Sequence, residues 1–158
     1  MRRTMLFLPS NNPNMLINGG QLGADSLIFD LEDAVSPDEK DAARELLKNT
    51  LESLDFGKCE RIVRINGLDT DYWMEDLRAI LPLRPETIMP PKVSGAAYIH
   101  QLDEALLLGQ KILVMHPDST LREFDLTSYD YPRDLSAPPM QALKREITDQ
   151  CRRSSANA

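Results

Sequence analysis

Two histidines and two cysteines among 158 residues leave little material for a soft-metal centre or a histidine-based catalytic triad. His100 and His116 stand apart, and Cys59 and Cys151 lack the close pairing of a zinc site, so two free thiols are expected. Long apolar runs are missing too. Met5 to Leu8, behind Arg2 and Arg3, is too brief for a signal-peptide core and far too brief to cross a bilayer, so a cytoplasmic protein is expected. Positive charge is in deficit, 18 Lys and Arg against 25 Asp and Glu for a net charge of −7, which argues against nucleic-acid or anionic-membrane partners. The cluster Gly19, Gly20 and Gly23 precedes a strand instead of following one, which excludes a phosphate-binding loop.

What is present is ordinary globular material, 42% hydrophobic and 27% charged, enough for one domain with a real core. The chain alternates strand and helix signals. Residues 3–9 read as a strand, and Asn12-Pro13 opens a short helix that loosens toward Gly23. Residues 26–30, SLIFD, suit a strand buried on both faces. Ser36-Pro37-Asp38-Glu39 combines a serine cap, a first-turn proline and a capping-box glutamate, and Ala43, Leu46, Leu47, Thr50, Leu51 and Leu54 then form one apolar stripe ending before Gly57. A third strand near Arg61, a helix carrying Trp73, Leu77, Ile80 and Leu81, a short strand over 86–92, a helix capped by Ser94 and ended by Gly109, and a strand over 111–115 complete the pattern. Four β-α units plus one strand, with short connections, imply a parallel sheet, either open and doubly wound or the first half of a (β/α)8 barrel.

From His116 the alternation fails. Residues 118–134 mix turn formers with isolated aromatics, and one further helix can start at Ser136 to Pro139, with Met140, Leu143 and Ile147 on one face. The expected organisation is therefore a partial barrel domain over 1–115 and a divergent tail over 116–158.

Chemistry concentrates at two strand ends. Asp30, Glu32 and Asp33 follow the second strand, and Arg64 lies near the end of the third. Crowded carboxylates raise one another's pKa or recruit a cation, and an arginine inside a buried parallel strand must be paired with an acid, a ligand, or both. Tyr72 and Trp73 read as helix packing. A receiver-type signalling domain would need a phospho-accepting aspartate ending the third strand, where Arg64 and Asn66 stand instead.

The motifs RTMLFLPSNNPNM, SLIFDLEDAV and RIVRINGLDT, in this order and with Pro90-Pro91-Lys92 after them, closely resemble the HpcH/HpaI aldolase and citrate lyase family over roughly residues 1–108. The resemblance implies a (β/α)8 barrel, here incomplete, with the first four to five βα units, and a magnesium-dependent carbon–carbon lyase. In citrate lyase beta subunits that activity converts a citryl thioester on an acyl carrier protein to oxaloacetate and an acetyl thioester; relatives cleave malyl- or citramalyl-coenzyme A. It assigns substrate binding to Arg64, catalytic pocket positions to Glu32 and Asp33, and contact with the carrier's phosphates to Lys92. Partners implied are citrate lyase alpha and gamma subunits, within an oligomer.

The chain departs from the family where metal ligands are expected. Those are a glutamate and an aspartate ending two later strands, yet His116-Pro117-Asp118 stands where the glutamate belongs and the second strand has no counterpart. A full barrel takes about 250 residues. A truncated lyase subunit, or a non-catalytic remnant that binds a dicarboxylate or another subunit, is the expectation. The remnant would leave sheet edges open at the first and fifth strands.

Overall fold

The computed structural model describes residues 2–106, 111–115 and 121–124. Strands β1 (Met5–Pro9), β2 (Ser26–Asp30), β3 (Glu60–Arg64), β4 (Thr87–Met89) and β5 (Lys111–Met115) alternate with helices α1 (Pro13–Asn18), α2 (Lys40–Ser53), α3 (Trp73–Ile80) and α4 (Ala96–Ala105). The strands hydrogen-bond in sequential order, β1 to β5 all parallel. That order decides between the two candidate architectures. A doubly wound sheet reverses its strand order at a switch point, whereas an unbroken 1-2-3-4-5 progression is how a barrel begins.

Strand pleating separates two faces. Leu27, Phe29, Val63, Ile65, Ile88 and Ile112 turn toward the helices and join Leu47, Leu51, Leu77, Ile80 and Leu102 in one buried cluster. Alternate positions Ile28, Ile62, Met89 and Leu113 form a second, smaller cluster on the opposite face, the interior face of the barrel portion. On that inner face the middle is apolar, while charge is placed at both ends, with Glu60 at the amino ends of the strands and Asp30 and Arg64 at the carboxyl ends.

The helix stripes match expectation, but several starts differ. Pro37–Glu39 is a 3-10 turn ahead of α2, and the Ser36 hydroxyl donates to Glu39 Oε2 at 3.0 Å in place of accepting a backbone amide. Glu39 Oε2 also accepts from Asn11 Nδ2 at 2.8 Å, which ties the loop after β1 to the start of α2 and draws the glutamate out of a capping box. Asn12 caps α1 as expected, through Met15 N. The helix after β4 starts at Gly95 with no side-chain cap, not at Ser94, and β4 is three residues long because Pro90 and Pro91 end its donors. Gly109 and the helix expected over residues 136–147 lie outside the described residues.

Strand β6 (Leu121–Phe124) falls in the stretch expected to carry no further strand. It pairs antiparallel with β5, Ile112 opposite Phe124 and Met115 opposite Leu121. The fifth strand therefore has a neighbour on each side, which corrects the expectation of an open edge there. Among the described residues no strand pairs with the outer edge of β1.

Candidate functional site

Register brings the charged residues together before any side chain is considered. Asp30 is directly opposite Arg64, and Arg64 opposite Met89, so the ends of β2, β3 and β4 form one rim. Arg64 Nε and Nη2 donate to Asp30 Oδ1 and Oδ2 at 2.8 and 2.5 Å, a two-pronged pair. Its third nitrogen, Nη1, lies 3.1 Å from Glu32 Oε2 and 3.7 Å from Asp33 Oδ2. The guanidinium sits over the Phe7 ring, 5.0 Å from its centroid. From the other side Lys92 Nζ donates to Glu32 Oε1 at 2.8 Å and comes within 3.6 Å of Asp33 Oδ1. All four residues singled out in the sequence, Glu32, Asp33, Arg64 and Lys92, thus meet at the carboxyl ends of the strands.

Their environments differ. Asp30 is 1% exposed and Glu32 7%, whereas the Asp33 side chain is 63% and the Lys92 side chain 73% exposed. Burial opposes the Arg64 charge, but the bond to Asp30 and the fields of Asp30, Glu32 and Asp33 more than offset it and raise its pKa. The Lys92 and Arg64 cations, against partial burial, hold Asp33 below the usual carboxylate range. Lys92 is raised, first by its bond to Glu32. Glu32 Oε2 is buried with no hydrogen-bond donor; the Arg64 contact is an ion pair whose angle does not make a hydrogen bond.

A layer beneath the rim fixes these groups, and the sequence reading passed over it. Lys40, at the start of α2, is buried and donates at 2.6 Å to both Leu31 O and Glu32 O, with burial lowering its pKa. Asn66 Nδ2 reaches the same Leu31 O at 3.0 Å and Asp76 Oδ2 at 2.7 Å. Asp76, fully buried, also accepts from Asn66 N at 2.8 Å and from Arg44 Nη1 at 3.0 Å; burial raises its pKa against those bonds. Tyr98 accepts from Leu68 N and donates to Pro91 O, joining the loops after β3 and β4. A Cβ at Gly67 would meet the Asp69 carboxylate, so a larger residue there requires that side chain to move. The sequence signal for this layer was the Asn beside the arginine in RIN and a lysine and arginine on the buried face of α2.

A hollow of about 990 Å³ lies at the amino ends of the strands, lined by Arg2, Asp25, Ser26, Phe56, Cys59 and Glu60 among others. Two of its acids are already paired, Glu60 with Arg2 and Asp25 with Arg3, and in barrels that end serves stability. The rim at the opposite end is therefore the candidate site.

A sequentially ordered parallel sheet with an arginine and three acids gathered at the carboxyl ends of its strands defines a barrel-type α/β protein. The sequence matches the family model HpcH/HpaI aldolase/citrate lyase over residues 3–111, and the chain belongs to that family. It is 47% identical over 111 residues to the citrate lyase subunit beta of Leuconostoc mesenteroides subsp. cremoris, covering 70% of this chain and 37% of the relative. A (3S)-malyl-CoA thioesterase of Cereibacter sphaeroides is 48% identical over 95 residues, 60% of this chain and 33% of that protein. The solved citrate lyase beta subunit from Mycobacterium tuberculosis, complexed with oxaloacetate and magnesium, superposes with a TM-score of 0.56 at 32% identity, covering 70% of this chain and 45% of the other. The chain spans about a third of the length of the curated relatives it matches.

The magnesium of that neighbour is a test for the residues present here. A hard divalent cation takes about six oxygen ligands, several of them water. Glu32 offers one donor-free oxygen, but Arg64 Nη1 stands 3.1 Å from it and Lys92 holds the other oxygen. Among the described residues no group of three His, Cys, Asp or Glu is arranged to hold a metal ion. The described residues do not fit as the ligands of that ion. Among them, too, no helix is long and apolar enough to cross a membrane.

Proposed function

We propose that the chain carries the carboxylate-holding part of a thioester carbon–carbon lyase site, with the oxaloacetate portion of a citryl thioester as the ligand of Arg64. The observation that carries this reading is the meeting of Arg64 with Asp30, Glu32 and Asp33 at the carboxyl rim of the sheet. Arg64 supplies a permanent charge and paired N–H groups to a carboxylate. Asp33, held ionised at neutral pH, is a poor proton acceptor there and acts by accepting a hydrogen bond from a ligand hydroxyl, while Glu32, between Arg64 and Lys92, orients those two cations. Lys92, at the mouth, exchanges its acids for the phosphates of the coenzyme A or acyl-carrier thioester. Citrate lyase alpha and acyl-carrier gamma subunits are the proposed partners, and the malyl-CoA relative supports a malyl thioester as the alternative substrate.

A second reading, a dicarboxylate- or subunit-binding module without turnover, is supported by the engagement of the Glu32 carboxylate with Lys92 and Arg64. One assay separates the two. Purified protein is given citryl or malyl thioester with magnesium, oxaloacetate or glyoxylate release is followed, and oxaloacetate binding is measured by calorimetry. Turnover that disappears in Arg64→Ala supports the lyase, binding without turnover supports the module, and neither property in a folded sample overturns both.

A further inference from the structure

We propose that Asp30 is the positioning residue of the site: by occupying the Nε–Nη2 edge of Arg64 it leaves the Nη1–Nη2 edge free of hydrogen bonds as the carboxylate receptor. The proposal rests on the carboxylate-binding reading above and deepens it.

A guanidinium has five N–H groups and two edges that can grip a carboxylate, one through Nε and Nη2 and one through Nη1 and Nη2. In this chain Asp30 takes the first edge, at 2.8 and 2.5 Å. The Phe7 ring 5.0 Å away covers one face of the plane. What remains is the second edge, one N–H each from Nη1 and Nη2, which among the described residues meets Glu32 Oε2 and the more distant Asp33, neither in hydrogen-bond geometry. An edge of this kind suits an incoming carboxylate, which would displace two ion contacts and break no hydrogen bond.

Asp30 is itself over-determined. Oδ1 accepts Glu32 N at 2.9 Å besides Arg64 Nε, and Oδ2 accepts Ala34 N at 3.3 Å besides Arg64 Nη2. One buried carboxylate therefore fixes both the arginine and the loop that carries Glu32 and Asp33. An asparagine in its place has one oxygen for four donors and must point an amide N–H₂ at two of them, which leaves a buried cation partly unpaired. The guanidinium would then swing toward Glu32 and Asp33, and the receptor edge would be lost.

The test uses the whole chain with isotope-labelled arginine. Arg64 Nε–H, assigned by its disappearance in Arg64→Lys, is expected as a shifted, slowly exchanging signal that collapses into the bulk arginine signals in Asp30→Asn, and oxaloacetate affinity is expected to fall at least tenfold in the same variant while its backbone amide spectrum keeps its dispersion. A persistent Arg64 signal, or unchanged affinity, in Asp30→Asn overturns the proposal. Should Asp30→Asn not fold, the wild-type signal decides: rapid exchange of Arg64 Nε–H overturns it, and slow exchange that is lost in Asp30→Glu, where the extra methylene breaks the two-pronged fit, upholds it. No oxaloacetate binding by a wild type whose Arg64 signal is ordered and Asp30-dependent overturns the dicarboxylate reading and leaves the positioning by Asp30 standing.

Discussion

At the scale of single residues the rim is a balance of three acids and two cations, and its members are not interchangeable. Arg64→Lys keeps the charge but loses the planar fork, so Asp30 and a ligand cannot both be held; losing one charge-assisted bond is worth roughly 1.5–3 kcal/mol. Oxaloacetate affinity in that variant should fall by at least tenfold, measured by calorimetry, and undiminished binding would remove Arg64 from the site. Lys92 presents the opposite case. It holds a left-handed backbone with φ of 50°, which disfavours any side chain with a Cβ, but its ammonium, itself exposed, is the hydrogen-bond donor to the buried Glu32 carboxylate. Lys92→Gly relieves the backbone and strips Glu32 of that donor, so the urea midpoint should fall and the binding of the phosphate-bearing thioester carrier should weaken. An equal or higher midpoint would show that the backbone strain outweighs the ion pair.

At the scale of elements, one buried polar cluster joins a strand end to two helices, a second and partly buried one joins three strands, and both can be challenged. Asp76 of α3 binds Asn66 after β3 and Arg44 of α2, so Asp76→Ala leaves the Asn66 backbone amide without its acceptor and the buried Arg44 with only the exposed Asp41. The expected cost is about 3–5 kcal/mol in denaturant unfolding, with Asp76→Asn intermediate because it keeps an oxygen for Asn66 N. At the other end of the sheet, burial would raise the pKa of Glu60, but Arg2, Thr87 and Ser26 lower it to about 2. A carboxylate depressed in this way adds stability that is complete above its unfolded value near 4.5 and is lost as pH falls toward 2. The urea midpoint should drop across that window, and Glu60→Gln should flatten the drop. These clusters also mark the limit of sequence reading. Strand and helix identities were legible because Ala43, Leu47 and Leu51, or Leu27 and Phe29, follow the helical or strand period. Glu32, Asp33 and Arg64 were legible because charge at a strand end is conspicuous, and Lys92 through the family resemblance carried by Pro90-Pro91-Lys92. Asp30's grip on Arg64, Lys40's two carbonyl bonds and the Glu39–Asn11 link were not, since each depends on a partner far along the chain that no local pattern announces.

At the scale of the whole molecule the sheet is uneven in how its strands are protected. β2 is buried along its full length and paired on both sides, and β3 is paired on both sides as well. β5 gains a second neighbour in β6, whose antiparallel direction departs from the parallel progression of a barrel. β1 has one partner, β2, among the described residues, and its Phe7 is 37% exposed. A strand with an unpaired edge is a template for association unless something covers it. Amide exchange should then rank β2 and β3 as slowest and the outward-facing amides of β1 as fastest at low protein concentration, because local opening there breaks the fewest buried contacts. If a second copy or another subunit pairs along β1, the exchange of those amides alone slows as protein or partner is added, while β2 and β3 remain unchanged. Slow exchange of the outward β1 amides at the lowest concentration would mean that the edge is covered within a single chain, and association would have to be sought on another face.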